Sequence, residues 1–321
     1  MNSAHISVVI PVYKAVDCLD ELDKRLKATL ERINKSYEII YVEDSGTDGS
    51  WEKIKKLSKE DIRVKGINFS RNFGQHYAIT AGLNYSIGDW VVVMDCDLQD
   101  SPEDILKLYL KANEGFDVVI GKRLQNNQAF LKRIASKAFY ILFRYLSDMD
   151  YEENGGNFRI MSRKVVSYFS LMLEQLRFFS GLVHWLGFKQ TYVNVKHNSR
   201  FKGRTSYSYA KLWKLSMDAI IAYSDKPLRL AVRLGALMSL VSLVFGVYIF
   251  LNSFLYTSSV PGWTSLIVSV FFIGGITIFI LGIIGIYIGR TFDECKKRPL
   301  YIINELVGLA ELNEQNIKQT L

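Results

Sequence analysis

The feature that most constrains the fold is a long stretch without charged residues. Between Leu234 and Gly289 the sequence contains no Asp, Glu, Lys or Arg, whereas about a quarter of the residues in a typical soluble domain are charged. A turn-like segment, 257–263, divides this stretch into two apolar arms, 234–256 and 264–287. Each arm is near the roughly 20 residues that a helix needs to cross a bilayer. We therefore predict a transmembrane hairpin of two helices; a hairpin buried inside a soluble protein is the alternative.

Basic residues flank the hairpin and predict its orientation. They precede the first arm and follow the second, whereas the connecting loop has no charge. They are Lys226, Arg229, Arg233, Arg290, Lys296, Lys297 and Arg298. Because loops rich in Lys and Arg stay in the cytoplasm, we expect a multi-pass protein of the cell (inner) membrane with both termini cytoplasmic. The expected divisions are a cytoplasmic domain at 1–225, a membrane hairpin at 226–292 and a cytoplasmic tail at 293–321.

The net charge and the cysteines narrow the classes of partner. A formal net charge of +8 in a membrane-anchored chain suits the lipid bilayer, through its anionic headgroups, and phosphate-bearing substrates. Nucleic acid is the weaker alternative and is not expected as a partner. The three cysteines, Cys18, Cys96 and Cys295, lack metal-ligand spacing and are typical of unpaired thiols in a reducing compartment.

Strand-like and helix-like patterns alternate in the first 120 residues. The β-rich runs are 6–13, 37–42, 64–69 and 90–94, and a helical pattern follows each. The first helix has Asp17 as its predicted N-cap, and its apolar face consists of Leu19, Leu22, Leu26, Leu30 and Ile33. Strands that alternate with helices predict a parallel sheet, and such sheets bind ligands at the carboxyl ends of their strands.

Two later segments, 130–148 and 165–188, have the pattern of helices with aromatic faces interrupted by basic residues. We expect both helices to lie along the membrane surface. For each one, an ordinary amphipathic helix packed on the sheet is an equally good interpretation.

Two carboxylates follow the fourth β-rich run. Asp95 and Asp97 stand two residues apart where the run opens into a loop, and like charges this close repel one another unless a cation neutralises them. Both could reach one hard ion such as Mg²⁺ or Mn²⁺, which usually completes its shell with substrate phosphates. The alternative is a solvated acidic loop, with Asp100 capping the helix after Pro102.

Polar clusters follow the other strand-like runs as well. The segment 43–50 is rich in acids, glycines and hydroxyls, which can hydrogen-bond a ribose and a base or simply form a turn. Arg71 and Asn72 follow the third run, either beside the same crevice or at the start of a helix. Further along, a group of residues could hold a phosphate or lie on a solvated surface. These residues are Lys122, Arg123, Arg133, Ser136 and Lys137.

Taken in order, these motifs resemble those of the family 2 glycosyltransferases of GT-A fold that act on polyisoprenyl phosphates. The motifs are VVIPVY, EDSGTDGS, RNFGQHYAITAG, DCDLQD, GGNFRIMSRK, RFKGRTSYS and GIYIGR, and they cover almost the whole chain. This group includes dolichol-phosphate-mannose-synthase-like enzymes and bacterial undecaprenyl-phosphate sugar transferases. The resemblance implies an α/β fold: a GT-A catalytic domain with a Rossmann-like, mostly parallel sheet, joined to interfacial helices and a two-helix transmembrane hairpin.

The resemblance also implies roles for individual residues. The divalent metal, Mg²⁺ or Mn²⁺, and the donor diphosphate would be held by Asp95, Asp97 and Gln99. The nucleotide would be contacted by Pro11, Tyr13, Asp44 and Asp95. The acceptor phosphate would be bound by Arg123, Arg133, Ser136 and Arg204. Arg159 and Arg200 would close over the reacting groups, Arg200 from a flexible basic loop at 197–208, with Asn157 also in the catalytic site.

The chain departs from the family pattern in two places. Lys14 and Ala15 replace the Asn-Glu that commonly follows the first strand, which bears on recognition of the base. Asn157 stands where many members have an acidic residue before Phe-Arg, and Asn154 stands where Asp is frequent. A sugar hydroxyl as acceptor would need a general base, whereas a phosphate monoester, with a second pKa of about 6, is already largely a dianion at neutral pH. Asn157 therefore favours a lipid-phosphate acceptor.

The implied reaction is an inverting transfer of a sugar from a nucleotide-sugar, most often a UDP-sugar, to undecaprenyl phosphate or a related carrier. The product would be a lipid-linked sugar donor for modification of cell-surface glycans. One alternative is a processive polysaccharide synthase, which usually has more spans and a Q-x-x-R-W signature that residues 175–179 only faintly resemble. Another is a non-catalytic membrane scaffold or a subunit of a lipid-translocating assembly. The sequence leaves open the sugar, the metal and the oligomeric state, including a homo-oligomer.

Overall fold

The computed structural model describes residues 5–123, 155–196, 226–255 and 262–309 of the 321-residue chain. These residues belong to two compact units. The first unit contains 5–123, 155–196 and 298–309, and the second contains 226–255 and 262–297. The predicted interfacial segment 130–148 and the predicted basic loop 197–208 lie outside the described residues.

The first unit consists of one sheet with helices against it. Its strands are β1 (Ile6–Val12), β2 (Tyr37–Glu43), β3 (Val64–Phe69), β4 (Trp90–Val93), β5 (Val118–Arg123), β6 (Gly155–Ser162), β7 (Gln190–Val195) and β8 (Ile303–Val307). Its helices are α1 (Val16–Ile33), α2 (Ser50–Glu60), α3 (Gln75–Tyr85), α4 (Ile105–Ala112), α5 (Arg163–Ser170) and α6 (Phe179–Trp185). A short 3₁₀ turn, Pro102–Asp104, precedes α4.

The eight strands follow the order β7-β5-β6-β4-β1-β2-β3-β8. Neighbouring strands pair in parallel from β4 through β1 and β2 to β3, and β5 pairs in parallel with β7. Two strands run the other way: β6 between β4 and β5, and β8 beside β3. The predicted α/β fold with a mostly parallel sheet is confirmed. Because β1 to β4 share one direction, the loops that follow them meet at one edge of the sheet.

Helices cover both faces of the central strands. Every residue of β1 and β2 is buried, as expected for a parallel sheet enclosed on both sides. On one face lies the predicted apolar face of α1: Leu19, Leu22, Leu26 and Leu30 are at most 1% exposed, and Ile33 is half-buried against the same core. On the other face α3 packs so closely that a Cβ at Gly82 would lie 2.2 Å from Cγ1 of Val9. The sequence therefore predicted this core correctly.

The start of α1 differs from its prediction. Asp17 lies in the first turn of the helix rather than capping it. Instead, Oδ2 of Asp48, in the loop after β2, accepts the backbone N–H of Val16 at 3.0 Å. A cap supplied by a distant loop cannot be recognised from the helix's own sequence.

The segment 165–188 is not one continuous helix, because α5 ends at Ser170 and α6 begins only at Phe179. Side chains take up the backbone carbonyls of the intervening residues. The Tyr77 hydroxyl donates to the carbonyl of Gln175 at 2.6 Å, and Arg177 donates to the carbonyl of Met172. These side-chain contacts take the place of helical hydrogen bonds.

The C-terminal segment, predicted as a separate tail, instead joins the sheet through β8. The ring of Tyr301 stacks on that of Phe69, with 5.2 Å between centroids. Trp51 donates its indole N–H to Oε2 of Glu305 at 2.6 Å. A strand of five residues with mixed polarity leaves too little periodicity to be recognised in the sequence.

The described residues of the second unit form two long helices, α7 (Lys226–Leu255) and α8 (Trp263–Cys295). They cover the two predicted apolar arms as far as the described residues extend. Within those residues, one stretch, Phe272–Cys295, is helical, long enough and apolar enough to cross a membrane, and none of it is buried. This single stretch does not establish the predicted hairpin, and the crossing of both arms remains a proposal.

Candidate active site

Three loops at the carboxyl edge of the sheet contain an unusual backbone conformation. Lys14 after β1, Ser45 after β2 and Leu98 after β4 have φ angles of 51°, 52° and 59°, in the left-handed region that residues other than glycine seldom adopt. Such conformations cost free energy and cluster at ligand-binding sites. Three loops at the edge of the sheet where the sequence predicted a crevice therefore contain strained backbone.

Asp95 and Asp97 lie at this edge, directly after β4, and both are half-buried. Oδ1 of Asp95 accepts hydrogen bonds from two side-chain amides, that of Gln75 at 2.6 Å and that of Asn157 at 3.4 Å. Oδ1 of Asp97 accepts the backbone N–H of Gln99 at 3.2 Å. The donors in these contacts are neutral, so they orient the carboxylates without cancelling their charge.

The thiol between the two carboxylates shows the sign of the local potential. The pKa of Cys96 is raised to about 12, mainly by burial and further by the charges of Asp95 and Asp97. The thiol therefore stays protonated at neutral pH and is not a nucleophile. The same negative potential favours a cation in this loop.

The residues present fit a hard divalent metal. Mg²⁺ commonly binds through one or two carboxylates and takes its other ligands from water and substrate phosphates, and Asp95 and Asp97 provide such a pair. In the part of the chain that the structure describes, no group of three or more His, Cys, Asp or Glu side chains is arranged to hold a metal by itself. Oxygen atoms of a substrate would have to complete the shell.

Asp44, predicted to contact the nucleotide, holds the loop between β3 and α3. It is 3% exposed, and its two carboxylate oxygens accept the backbone N–H groups of Phe73 at 2.7 Å and Gly74 at 2.9 Å. Burial raises the pKa of Asp44, and these two hydrogen bonds, together with the charge of Arg71, partly offset the rise. A nucleotide contact by Asp44 stays a prediction.

Arg159, predicted to close over the reacting groups, is held by contacts inside the protein, and the closing role stays a prediction. Its side chain projects from β6 and is enclosed, with 2% of the residue exposed. The Nη2 atom donates to the carbonyl of Gly156 at 2.9 Å and to the hydroxyl of Ser180 at 2.6 Å, and the guanidinium lies over the ring of Phe179. These contacts tie β6 to α6, so Arg159 supports the strand that carries Asn157.

The other predicted site residues differ in their placement. Tyr13, directly after β1, is 46% exposed. Its backbone is hydrogen-bonded to the side chain of Cys96, so the loops that follow β1 and β4 are in contact. Pro11 is buried within β1 opposite Val42, so it shapes the strand. Arg123 is the last residue of β5. The remaining predicted residues, Arg133, Ser136, Arg200 and Arg204, lie outside the described residues.

Gln75 is the site residue that the sequence did not reveal. It is the first residue of α3, and its amide makes the shorter of the two contacts with Asp95. The motif that contains it was recognised, but only Arg71 and Asn72 within that motif attracted attention because of their charge and position. A neutral side chain at a helix start gives no distinctive signal in the sequence.

Comparison with known proteins shows which family this chain resembles. The profile described as glycosyl transferase family 2 matches residues 7–170. The protein named uncharacterized glycosyltransferase YkcC from Bacillus subtilis strain 168 is 43% identical over 311 residues, which covers 96% of each chain. The prophage bactoprenol glucosyl transferase homolog of Escherichia coli K12 is 36% identical, over 94% of this chain and 99% of that one.

One further relative and one solved structure are similar to this chain. The bactoprenol glucosyl transferase of Shigella phage SfII is 34% identical, over 94% of this chain and 97% of that one. A solved structure of glucosyl-3-phosphoglycerate synthase from Mycobacterium tuberculosis has a TM-score of 0.49 and 16% identity, over 68% of this chain and 76% of that one; this likeness adds nothing to the family assignment. The profile match and the long alignments establish that the chain belongs to glycosyl transferase family 2 and is a glycosyltransferase.

Proposed function

We propose that this glycosyltransferase moves a sugar, with glucose as the first candidate, from a nucleotide-sugar to a polyisoprenyl phosphate. The observation that carries the proposal is the alignment of 94% of the chain with proteins named bactoprenol glucosyl transferase or a homolog of one. This alignment extends well beyond the family profile, which ends at residue 170. We propose a UDP-sugar as the donor, because the resemblance implies a nucleotide-sugar and similar proteins most often use a UDP-sugar.

We infer that a divalent ion, Mg²⁺ or Mn²⁺, is held by Asp95 and Asp97, with Gln99 as the third proposed ligand. When bound, this ion would neutralise the negative charge of the departing nucleotide diphosphate. The chain itself supplies orientation. The side chains of Gln75 and Asn157 hold Asp95, and the backbone N–H of Gln99 holds Asp97.

The proposed reaction needs no general base. An oxygen of the acceptor phosphate forms a bond to the anomeric carbon while the bond to the donor diphosphate breaks on the opposite face, so the configuration inverts. A phosphate monoester is already largely a dianion at neutral pH, and orientation can supply much of the remaining rate enhancement. Asn157, whose amide donates to Asp95, cannot take up a proton at neutral pH.

The histidine next to Gln75 is a poor base as well. The pKa of His76 is lowered to about 4, first by burial and then by the charges of Arg177 and Arg159. At neutral pH the imidazole is therefore uncharged and weakly basic. Neither Asn157 nor His76 can act as a general base at neutral pH, which favours an acceptor that arrives already ionised.

We propose that the acceptor phosphate is bound by basic and hydroxyl side chains from the second half of the cytoplasmic domain. These are Arg123, Arg133, Ser136 and Arg204, and Arg200 would close over the reacting groups. Residues 226–292 would anchor the domain as a two-helix hairpin with both termini in the cytoplasm. The support for this orientation is the basic residues on both sides of an uncharged loop.

The proposal is tested by transfer assays with the purified full-length chain in lipid nanodiscs. The protein is incubated with undecaprenyl phosphate and one labelled donor at a time: UDP-glucose, UDP-galactose, UDP-N-acetylglucosamine or GDP-mannose. We expect label in the lipid extract with at least one UDP-sugar, and loss of that label when EDTA is added. A protein that labels no lipid with any donor would contradict the proposal and favour a scaffold, and label that withstands EDTA would contradict its metal-dependent part.

A further inference from the structure

The shortest described hydrogen bond to the acidic loop comes from Gln75. Its Nε2 atom donates to Oδ1 of Asp95 at 2.6 Å, whereas Asn157 reaches the same oxygen at 3.4 Å. Both amides donate to the same oxygen of the Asp95 carboxylate. A carboxylate held in this way can turn only with loss of its shorter, stronger hydrogen bond.

The chain fixes Gln75 in this place from both sides. Before it, the buried carboxylate of Asp44 holds the N–H groups of Phe73 and Gly74, and Gly74 has a φ of 110°, which lets the loop turn sharply into α3. After it, the hydroxyl of Tyr77 is bonded to the carbonyl of Gln175 at 2.6 Å. The amide of Gln75 is therefore presented to Asp95 by hydrogen bonds within the chain itself.

The chemistry of the amide suits a metal-binding carboxylate. A lysine or arginine at position 75 would also orient Asp95, but its charge would compete with a metal ion for the carboxylate. An amide donates without charge, so Gln75 orients Asp95 without adding a positive charge that would compete with a metal ion. Side chains that orient a metal ligand in this way typically change metal affinity by about 10- to 100-fold when removed.

We propose that Gln75 is a positioning residue that orients Asp95 for the divalent metal and, through it, for the donor diphosphate. The inference rests on the proposed function, because it takes Asp95 as a ligand of the metal. It adds a residue that would act through its hydrogen bond to Asp95. The prediction is therefore specific: loss of Gln75 weakens the metal-dependent part of nucleotide binding and leaves the metal-independent part unchanged.

The test uses Gln75→Met in the full-length protein, with Gln190→Met as the matched control. Methionine keeps the length of the side chain and a good helix propensity but removes the donor. Gln190, at the start of β7, also donates its amide, to the carbonyl of Val183 at 3.5 Å. Binding of Mn²⁺ is measured by electron paramagnetic resonance in the presence of UDP, and binding of UDP is measured by calorimetry with Mn²⁺ and with EDTA.

For Gln75→Met we expect the dissociation constant of Mn²⁺ to rise by about 10-fold or more. We also expect its UDP affinity in EDTA and its thermal unfolding midpoint to match those of the wild type. Gln190→Met should match the wild type in every measurement.

Unchanged Mn²⁺ affinity in Gln75→Met would overturn the inference. An equal loss of UDP affinity with and without metal would also overturn it, because that result indicates a collapsed loop. Gln75→Leu, measured in parallel, must show the same pattern. If the wild-type protein bound no Mn²⁺, the metal site of the proposed function would itself be refuted. That outcome differs from failure of the inference, in which the wild type binds Mn²⁺ and Gln75→Met binds it equally well.

Discussion

At the scale of single residues, Asp97 and Asn157 have different roles in the proposed reaction. Asp97→Asn keeps the shape of the side chain but removes a charged ligand from a hard cation, so sugar transfer should fall by at least ~10²-fold. Asn157→Ala removes only the longer of the two amide contacts with Asp95, so it should lose about 10-fold through poorer orientation. Initial rates of lipid-linked product at saturating metal measure both effects.

Thermal unfolding of the same two variants is the control. Asp97→Asn relieves repulsion with Asp95 in the metal-free protein, so its unfolding midpoint should not fall. A fully active Asp97→Asn variant would show that Asp97 is not a ligand of an essential metal ion. An Asn157→Ala variant as inactive as the aspartate variant would contradict a mechanism without a general base.

What the sequence could predict at this scale depended on charge. Asp95 and Asp97 were recognisable because two acids directly follow a buried strand. Gln75 was not, since its role exists only after Asp44 has shaped the loop before α3. The contacts of Arg159 were not predictable, because a sequence motif does not tell whether an arginine also contacts groups inside the protein, as Arg159 does with a serine and a carbonyl.

At the scale of secondary-structure elements, β8 fastens the segment that follows α8 to the edge of the sheet. Tyr301 stacks on Phe69, and its hydroxyl accepts a hydrogen bond from the amide of Asn84 at 3.0 Å. Tyr301→Ala removes both contacts and should lower the free energy of unfolding by about 2–3 kcal/mol. Tyr301→Phe keeps the stacked ring and should cost only about 1 kcal/mol. Chemical unfolding of the full-length variants measures the difference.

The test depends on which of the two variants, Tyr301→Ala or Tyr301→Phe, loses more unfolding free energy. If Tyr301→Phe were as destabilising as Tyr301→Ala, the stacking on Phe69 would contribute nothing, and if neither variant were destabilised, β8 would not be fastened to the sheet. Tyr41→Phe is a less suitable reference, because the Tyr41 hydroxyl is paired with the buried carboxylate of Asp23. The wild type and Ile62→Ala, at a position 88% exposed, are the appropriate controls.

Elements with a strong local pattern were predictable and those fixed by distant partners were not. The strands β1 to β4 and the helix α1 follow from buried apolar runs and a leucine stripe. The interruption between α5 and α6 depends on Tyr77, and β8 depends on β3, more than 200 residues away in the chain. Neither partner can be read from the segment itself.

At the scale of the whole molecule, the central topological expectation is that both ends of the hairpin face the cytoplasm. A cysteine placed at position 258 by Ser258→Cys, in the uncharged segment between the two apolar arms, should then react with a membrane-impermeant maleimide on intact cells. The wild-type chain, with its three native cysteines, is the matched control and should not react. Labelling of the variant only after permeabilisation would show that the orientation is wrong.

The measurement that tests the central claim most directly compares two acceptors that differ only in a phosphate. Purified full-length protein is given labelled UDP-glucose, or whichever UDP-sugar labels lipid best, with either undecaprenyl phosphate or undecaprenol, and the Asp97→Asn variant is assayed in parallel. We predict labelled lipid from the wild type with undecaprenyl phosphate alone, because a phosphate monoester is already largely ionised, whereas a hydroxyl needs a general base and Asn157, which contacts Asp95, cannot serve as one. Equal labelling of undecaprenol, or no labelling of either lipid, would contradict the claim that this family 2 glycosyltransferase uses a polyisoprenyl phosphate as its acceptor.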